Sequence, residues 1–336
     1  MARVVLVTGV SRYLGARVAN ALQADPGVDR VIGVDSARPH PLLGGAEFVR
    51  ADPHDGSVNA VVSDSGADTV LHLGLATAPR DTAGRPFREN NALGSLQVLA
   101  ACQRSAKVDR LVVRSSAAVY GPSSCGPEVC TEEAEAQQVL RPGYAKDAVE
   151  LERHVRGLVR RRPDISVAVL RFANLMGPSV ETPLTRYLGL RIVPTLRGHD
   201  PRMQFLHEDD GVEALRRMAT SDGEGTFNVA APGAIPLSQC LRRAGRPEFP
   251  VPAGGLRVFD SLARRARLDY SPDHLRLLCS GRVLDSGKLE RALEWSPSYS
   301  SQEAFDSFVA ERVPSARTPT RLIGQMTHRV RGVVGR

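Results

Sequence analysis

At 336 residues the chain has room for one large α/β unit, or for a nucleotide-binding unit carrying a smaller lobe, and it needs no disulfide or metal to support a core. With 42% hydrophobic and 24% charged residues it has neither a disordered nor a membrane-embedded composition, and no apolar run reaches the ~20 residues that cross a bilayer. The formal charge of +7 comes almost wholly from arginine, and the five arginines of 313–336 face no carboxylate there, so the excess marks a basic tail and not a nucleic-acid surface.

Short β-branched runs alternate with longer amphipathic ones through the first half of the chain. The runs predict strands over 3–8, 30–35, 47–51, 69–73, 110–115 and 165–171, with helices over 14–24, 57–63, 87–105 and 144–161. This alternation is the signature of a doubly wound parallel sheet covered on both faces. After Gly177 and Pro178 it is lost and Pro and Gly become frequent, which predicts a second, smaller lobe. Helical patterns over 208–220 and 301–311 are expected to pack back on the sheet, making the lobes interleaved. The expected division is 1–175 for the first unit, with a return segment about 196–232, then 176–312 mainly for the lobe and 313–336 for the tail.

Cysteines at 102, 125, 130, 240 and 279 are odd in number, form no CxxC pair and have no histidine at zinc-site spacing. They read as free thiols of a reducing compartment. The first residues run straight into a strand without a signal-peptide pattern, so a cytoplasmic location is expected.

The first strand feeds Thr8-Gly9-Val10-Ser11-Arg12-Tyr13-Leu14-Gly15 and then a helix. A helix N-terminus after such a turn offers free N–H groups and a partial positive charge to a pyrophosphate. Gly9 would make the tight turn and Gly15 would let helix and strand approach. Twenty residues on, Asp35 ends the second strand, where a carboxylate suits the ribose hydroxyls of NAD and repels the 2′-phosphate of NADP. Arg12 and Arg38 are the residues that would receive that phosphate, so NAD is the expected cofactor and NADP the lesser candidate. The middle glycine of such turns falls on Arg12 or, in the shorter spacing, on Tyr13; Arg12 would cover the pyrophosphate as a charge partner or obstruct it.

Several further motifs follow in order. They are Ala51-Asp52-Pro53, His72-Leu73-Gly74-Leu75-Ala76, Asn91-Ala92-Leu93-Gly94-Ser95, Ser115-Ser116-Ala117-Ala118-Val119-Tyr120-Gly121, Leu170-Arg171-Phe172-Ala173-Asn174, Phe205-Leu206-His207-Glu208-Asp209-Asp210 and Phe227-Asn228-Val229. With the glycine turn they resemble the extended short-chain dehydrogenase/reductase family, in its branch of NAD-dependent epimerases and dehydratases, from about residue 3 to 230. The resemblance implies a Rossmann-type fold with a small-molecule substrate bound in the second lobe. It places Asp52, Pro53, Leu73, Gly74, Asn91, Ser115 and Phe172 at the cofactor and Asn174 at the substrate. Ser116 would orient the reacting oxygen as well as touch substrate, and Tyr144 would exchange its proton while lying against the cofactor. Family members often pair through the helices corresponding to 87–105 and 144–161, which implies a homodimer.

The family's YxxxK element is broken. Tyr144 is present, but the lysine that holds the nicotinamide ribose and assists the tyrosine is Ala148. Glu152 also matches a family position, so the register holds. Lys146 lies roughly 200° around a helix from Tyr144, against roughly 40° for Ala148, and reads as a surface residue. Three outcomes stay open: slow family chemistry, a replacement cation, or binding without turnover. Arg114 is a candidate cation, but strand alternation points it away from the face of Ser115.

The function expected is an NAD-dependent oxidoreductase or epimerase/dehydratase acting at a carbinol or ketone carbon of a sugar-like or polyketide-like molecule. The alternatives are a catalytically silent NAD-binding regulator, or a non-redox isomerase or lyase on the same scaffold. No serine sits in a G-x-S-x-G elbow, which disfavours a hydrolase. His207-Glu208-Asp209-Asp210 opens a helix, and its acids read as caps and dipole partners, so no metal site is expected. The run 160–162 before Pro163 reads as a cationic helix end.

Overall fold

Runs made only of aliphatic and β-branched residues are stable as strands once both faces are covered. A computed structural model describes residues 3–52, 56–76, 87–121, 129–134, 143–252 and 281–313, the side chains of 87–90 apart. In it β1 (Arg3–Thr8) buries Val5, Leu6 and Val7 completely between β2 (Val28–Asp35) and β4 (Thr69–His72). With β3 (Glu47–Arg50), β5 (Arg110–Ser116), β6 (Ser166–Phe172) and β7 (Gly225–Val229) they make a seven-stranded parallel sheet in the order β7-β6-β5-β4-β1-β2-β3. This is the expected Rossmann-type arrangement. Strand order reverses between β1 and β4, which opens a crevice at their carboxyl ends.

Helices α1 (Tyr13–Gln23) and α6 (Glu208–Thr220) pack on each other, while α2 (Ser57–Ser65), α3 (Phe87–Arg104) and α4 (Tyr144–Arg161) form a second row. Buried Arg110 on β5 joins the sheet to α6 by donating to the Met218 carbonyl at 2.6 and 3.0 Å, a cation set against a helix C-terminus. Arg162 does the same for α3. It donates to the carbonyls of Gln103 and Ser105 at 2.7 and 2.9 Å, which gives the predicted cationic helix end a partner on the neighbouring helix.

After β6 the chain leaves the sheet through a strand over Asn174–Met176, helix α5 (Pro183–Leu188) and a strand over Val193–Leu196. It returns through Phe205–His207, which pairs in parallel with Asn174–Met176, and then through α6 into β7. Beyond β7 come α7 (Leu237–Arg243), α8 (Gly287–Leu293) and α9 (Ser301–Arg312). A second apolar cluster gathers Met176, Tyr187, Phe205, Leu241, Phe305 and Phe308.

One expectation is corrected here. The helical pattern over 301–311 does form α9, but α9 does not pack on the sheet. Its Phe305 stacks on Phe205 with ring centroids 5.6 Å apart, inside the second cluster. The pattern revealed an apolar face without saying which core would receive it. The thiols of Cys102, Cys130 and Cys240 are free and buried. Pro53, Cys125, Cys279 and the tail beyond residue 313 lie outside the described residues.

Candidate active site

The turn after β1 is built on close approach. Gly9 has φ +85°, where a side chain is strained, and a Cβ on Gly15 would fall 2.2 Å from the Gly9 carbonyl oxygen. Arg12 needs no glycine for its backbone, since its φ of −105° and ψ of 153° are ordinary extended values. Its side chain folds over the turn, and Nη2 donates to the Gly74 carbonyl at 2.7 Å, bridging the ends of β1 and β4. Asp35 is tied into the same turn, with Oδ2 accepting from the Ser11 N–H at 3.0 Å and from its hydroxyl at 2.6 Å.

Gly9, Arg12, Tyr13, Leu14, Gly15 and Leu73 thus come together around a cavity of about 280 Å³ at the N-terminus of α1. No side chain caps that helix, and its first turn carries no acid, so its N–H groups face the cavity uncompensated. An alanine at Gly15 is expected to destabilise the protein by about 1–3 kcal/mol, because the clash is with backbone, and to cost most of its NAD affinity. Chemical denaturation and calorimetric titration read the two losses separately. Unchanged NAD affinity would remove the turn from the cofactor site.

Tyr13 serves as a strut. Its hydroxyl donates to Glu208 at 2.7 Å and accepts from Arg17 at 2.9 Å, and its ring meets His40 edge-on. Burial, then the bond to Glu208, raises the pKa of the phenol. Glu208 is only 2% exposed and also accepts from the backbone N–H of Ser179 and Val180, at 3.0 and 2.6 Å. Asp210 likewise accepts from the N–H groups of Ser298 and Tyr299. These acids therefore do more than cap α6: they pin loops of the second lobe to the cradle. The cap itself is His207, accepting from Asp209 N–H at 3.2 Å, while the acids stand in the first turn of α6 as dipole partners, and no group of metal-ligand side chains gathers among the described residues.

A smaller cleft, of about 80 Å³, adjoins the cradle and shares Arg114, Leu175 and Thr182 with it. Ser116, Tyr144, Phe172 and Asn174 line this cleft together. Tyr144 is the first residue of α4, and Ser116 ends β5 with its Oγ accepting from Ala118 N–H at 3.2 Å, which leaves the hydroxyl proton free to donate.

Ser115 points the other way: it is fully buried and donates to Glu152 on α4 at 2.7 Å. Asn91 faces backbone and α4, accepting from Ala76 N–H at 2.8 Å and donating to Asp147 at 2.9 Å. Asp52 N–H is held by Ser57 at 2.9 Å. None of these three is among the described residues that line the two cavities.

Ala148 is completely buried, and Lys146 lies half-exposed, 3.9 Å from Glu150 on the surface. Arg114 does lie opposite Ser115, as alternation requires. That places it on the face of Ser116, and it lines both cavities with its guanidinium 5.5 Å from the Phe172 ring. Arg282, which no local motif singles out, enters the cleft from the far end of the second lobe.

Under the cradle, His72 lies between Thr8 Oγ1 at 2.9 Å and Ser95 Oγ at 3.0 Å. Burial, helped by the charge of Arg12, pushes its pKa from 6.5 down to about 4. The unfolded chain therefore takes up a proton that the fold refuses, so stability is full above pH 6.5 and falls as the pH drops towards 4. The contribution is on the order of 3 kcal/mol over that window. Denaturation midpoints measured from pH 7 to 5 should fall in the wild type and fall less in His72→Gln; parallel slopes would show that His72 is not the group responsible.

Comparison with known proteins agrees with this fold. An uncharacterized protein of Mycobacterium tuberculosis strain H37Rv is 40% identical over 316 residues, covering 92% of this chain and 84% of that one. UDP-glucose 4-epimerase of Yersinia pestis is 27% identical over 186 residues, covering 52% of this chain and 53% of that one. Among solved structures, MoeE5 in complex with UDP-glucuronic acid and NAD superposes with a TM-score of 0.70 at 22% identity, covering 92% of this chain and 98% of that one. UDP-glucose 4-epimerase from Bifidobacterium longum in complex with NAD+ and UDP gives 0.70 at 18% identity, covering 92% and 97%. Residues 5–230 match the model of one family, and with a 40% relative covering 92% of it the chain belongs to the NAD dependent epimerase/dehydratase family.

Proposed function

We propose that the protein binds NAD in the cradle of Gly9 to Gly15 and acts at a carbinol or ketone carbon of a sugar-like or polyketide-like molecule held in the adjoining cleft. The observation that carries this reading is the placement of Ser116 and Tyr144 in one cleft that opens on the cradle. The uncapped α1 N-terminus and the space that a Gly15 side chain would fill suit a pyrophosphate, and Arg12 lies across it as a charge partner. Bound NAD would supply a hydride acceptor.

This chain's own groups do the rest. Ser116 donates its proton to the reacting oxygen and fixes its position, while Tyr144 receives or returns the proton that accompanies hydride movement. Asn174 and the walls of residues 176–312 hold the remainder of the molecule. Pairing through α3 and α4 is supported by Leu93, Leu96 and Val159, large apolar residues that those helices leave exposed. No helix among the described residues is long and apolar enough to cross a membrane.

The test is a calorimetric titration with NAD and, separately, NADP at one salt concentration, after any cofactor retained by the purified protein has been released and measured. NAD should bind, and NADP at least about tenfold more weakly because Asp35 closes the ribose end. Binding of neither cofactor, with none retained, would overturn the reading.

A further inference from the structure

The cleft of Ser116 and Tyr144 carries two arginines, Arg114 and Arg282, and no carboxylate among its described lining residues. Arg114 Nε is buried and meets no acceptor, and among the described residues its guanidinium lies over the Phe172 ring. Arg282 Nε donates to the Gly121 carbonyl, but Nη2 is buried without an acceptor. Burial pushes the Arg282 guanidinium down to about 10, so it is still cationic at neutral pH.

Both arginines line this one small space, and each buried N–H without an acceptor is costly. Neighbouring polar groups do not relieve this. Gln204, also in the cleft, spends its amide on Leu284 N–H at 2.7 Å and the Ala231 carbonyl at 2.9 Å. What satisfies both guanidinium groups at once is an anion with several lone pairs in one plane or one tetrahedron.

We propose that the cleft is a site for a substrate bearing an oxoanion, a carboxylate or a phosphate, beside the reacting hydroxyl, with Arg114 and Arg282 clamping it. The proposal rests on the reading of this cleft as the reaction site. It explains why arginine stands at 114, two residues before Ser116 on the same strand face, where it reaches the substrate and not the helix behind. The clamp also gives orientation. An anion fixed between the two arginines sets the neighbouring hydroxyl against Ser116 and Tyr144, and a neutral analogue lacks that anchor.

Calorimetric titrations with two matched pairs test this: glucuronic acid against glucose for a carboxylate, and glucose 6-phosphate against glucose for a phosphate, with NAD titrated in parallel. In at least one pair the charged probe should bind about tenfold more tightly or better, and Arg282→Gln should remove most of that preference while Arg282→Lys keeps part of it. Preference in the first pair alone assigns a sugar acid, and in the second alone a phosphorylated compound. Equal affinities within both pairs, no binding of any probe, or a preference that survives both Arg282→Gln and Arg114→Gln would overturn the clamp. A preference for the charged probe without NAD binding would discard the cofactor reading and leave the clamp standing. NAD binding without the preference would do the reverse.

Discussion

Truncating Glu152 to alanine is expected to destabilise the protein by about 3–5 kcal/mol, because it leaves a buried guanidinium with no counter-charge. Glu152 is 2% exposed on the inner side of α4, and Arg171 is 4% exposed on β6. The pair is doubly bonded, Nε to Oε1 at 3.0 Å and Nη2 to Oε2 at 2.8 Å, with Ser115 donating to Oε1 at 2.7 Å. Arg171 also donates to the Tyr120 hydroxyl at 2.8 Å, which in turn donates to Asn228 on β7 at 2.7 Å.

The network therefore ties α4 to β5, β6 and β7. A guanidinium keeps its proton across the ordinary pH range, so loss of a proton does not relieve the broken pair. Glu152→Gln keeps an acceptor and should cost less. The double change Glu152→Leu with Arg171→Met should recover much of the loss, since the penalty belongs to the unpaired charge and not to the pair. Urea denaturation at unchanged m-value reads all three; a Glu152→Ala loss below about 1 kcal/mol would mean that water reaches Arg171 and the network is not what holds α4.

The elements that sequence periodicity describes are those whose burial is decided locally. Residues 144–161 alternate strongly enough that the predicted and observed α4 coincide, and each of the six predicted strands lies within two residues of its expected ends. What periodicity does not contain is which neighbour a face will meet. Alternation put Arg114 opposite Ser115, but only the sheet's position against the second lobe shows that this side is the cleft.

Tyr13 falls where a glycine is expected, and its role follows from Glu208, 195 positions away. No local pattern reports such a partner. The same holds for Arg282, which reaches the carbonyl of Gly121 across 161 positions. The acids at 208–210 show a further limit: a cap and a buried inter-lobe clamp look alike in sequence, and burial alone separates them.

Replacing Tyr144 by phenylalanine is expected to lower turnover of an identified substrate by about 10²- to 10⁴-fold while leaving NAD affinity within about threefold. The change removes one hydroxyl from the mouth of the cleft and keeps the ring that starts α4. No aspartate, glutamate or histidine lines the cleft among the described residues, so none of its described lining residues is an acid or base of that kind that could take over the proton. Ser116 can donate one hydrogen bond but is held by Ala118 N–H and is a poor base, so it orients and does not substitute. Ser116→Ala should accordingly cost less than Tyr144→Phe, and the double variant little more than Tyr144→Phe alone, as groups serving one proton transfer are non-additive. Full activity in Tyr144→Phe would move the proton to a group outside the described cleft. A parallel loss of NAD affinity would make Tyr144 a cofactor-holding residue that has absorbed part of the work of the lysine absent at Ala148.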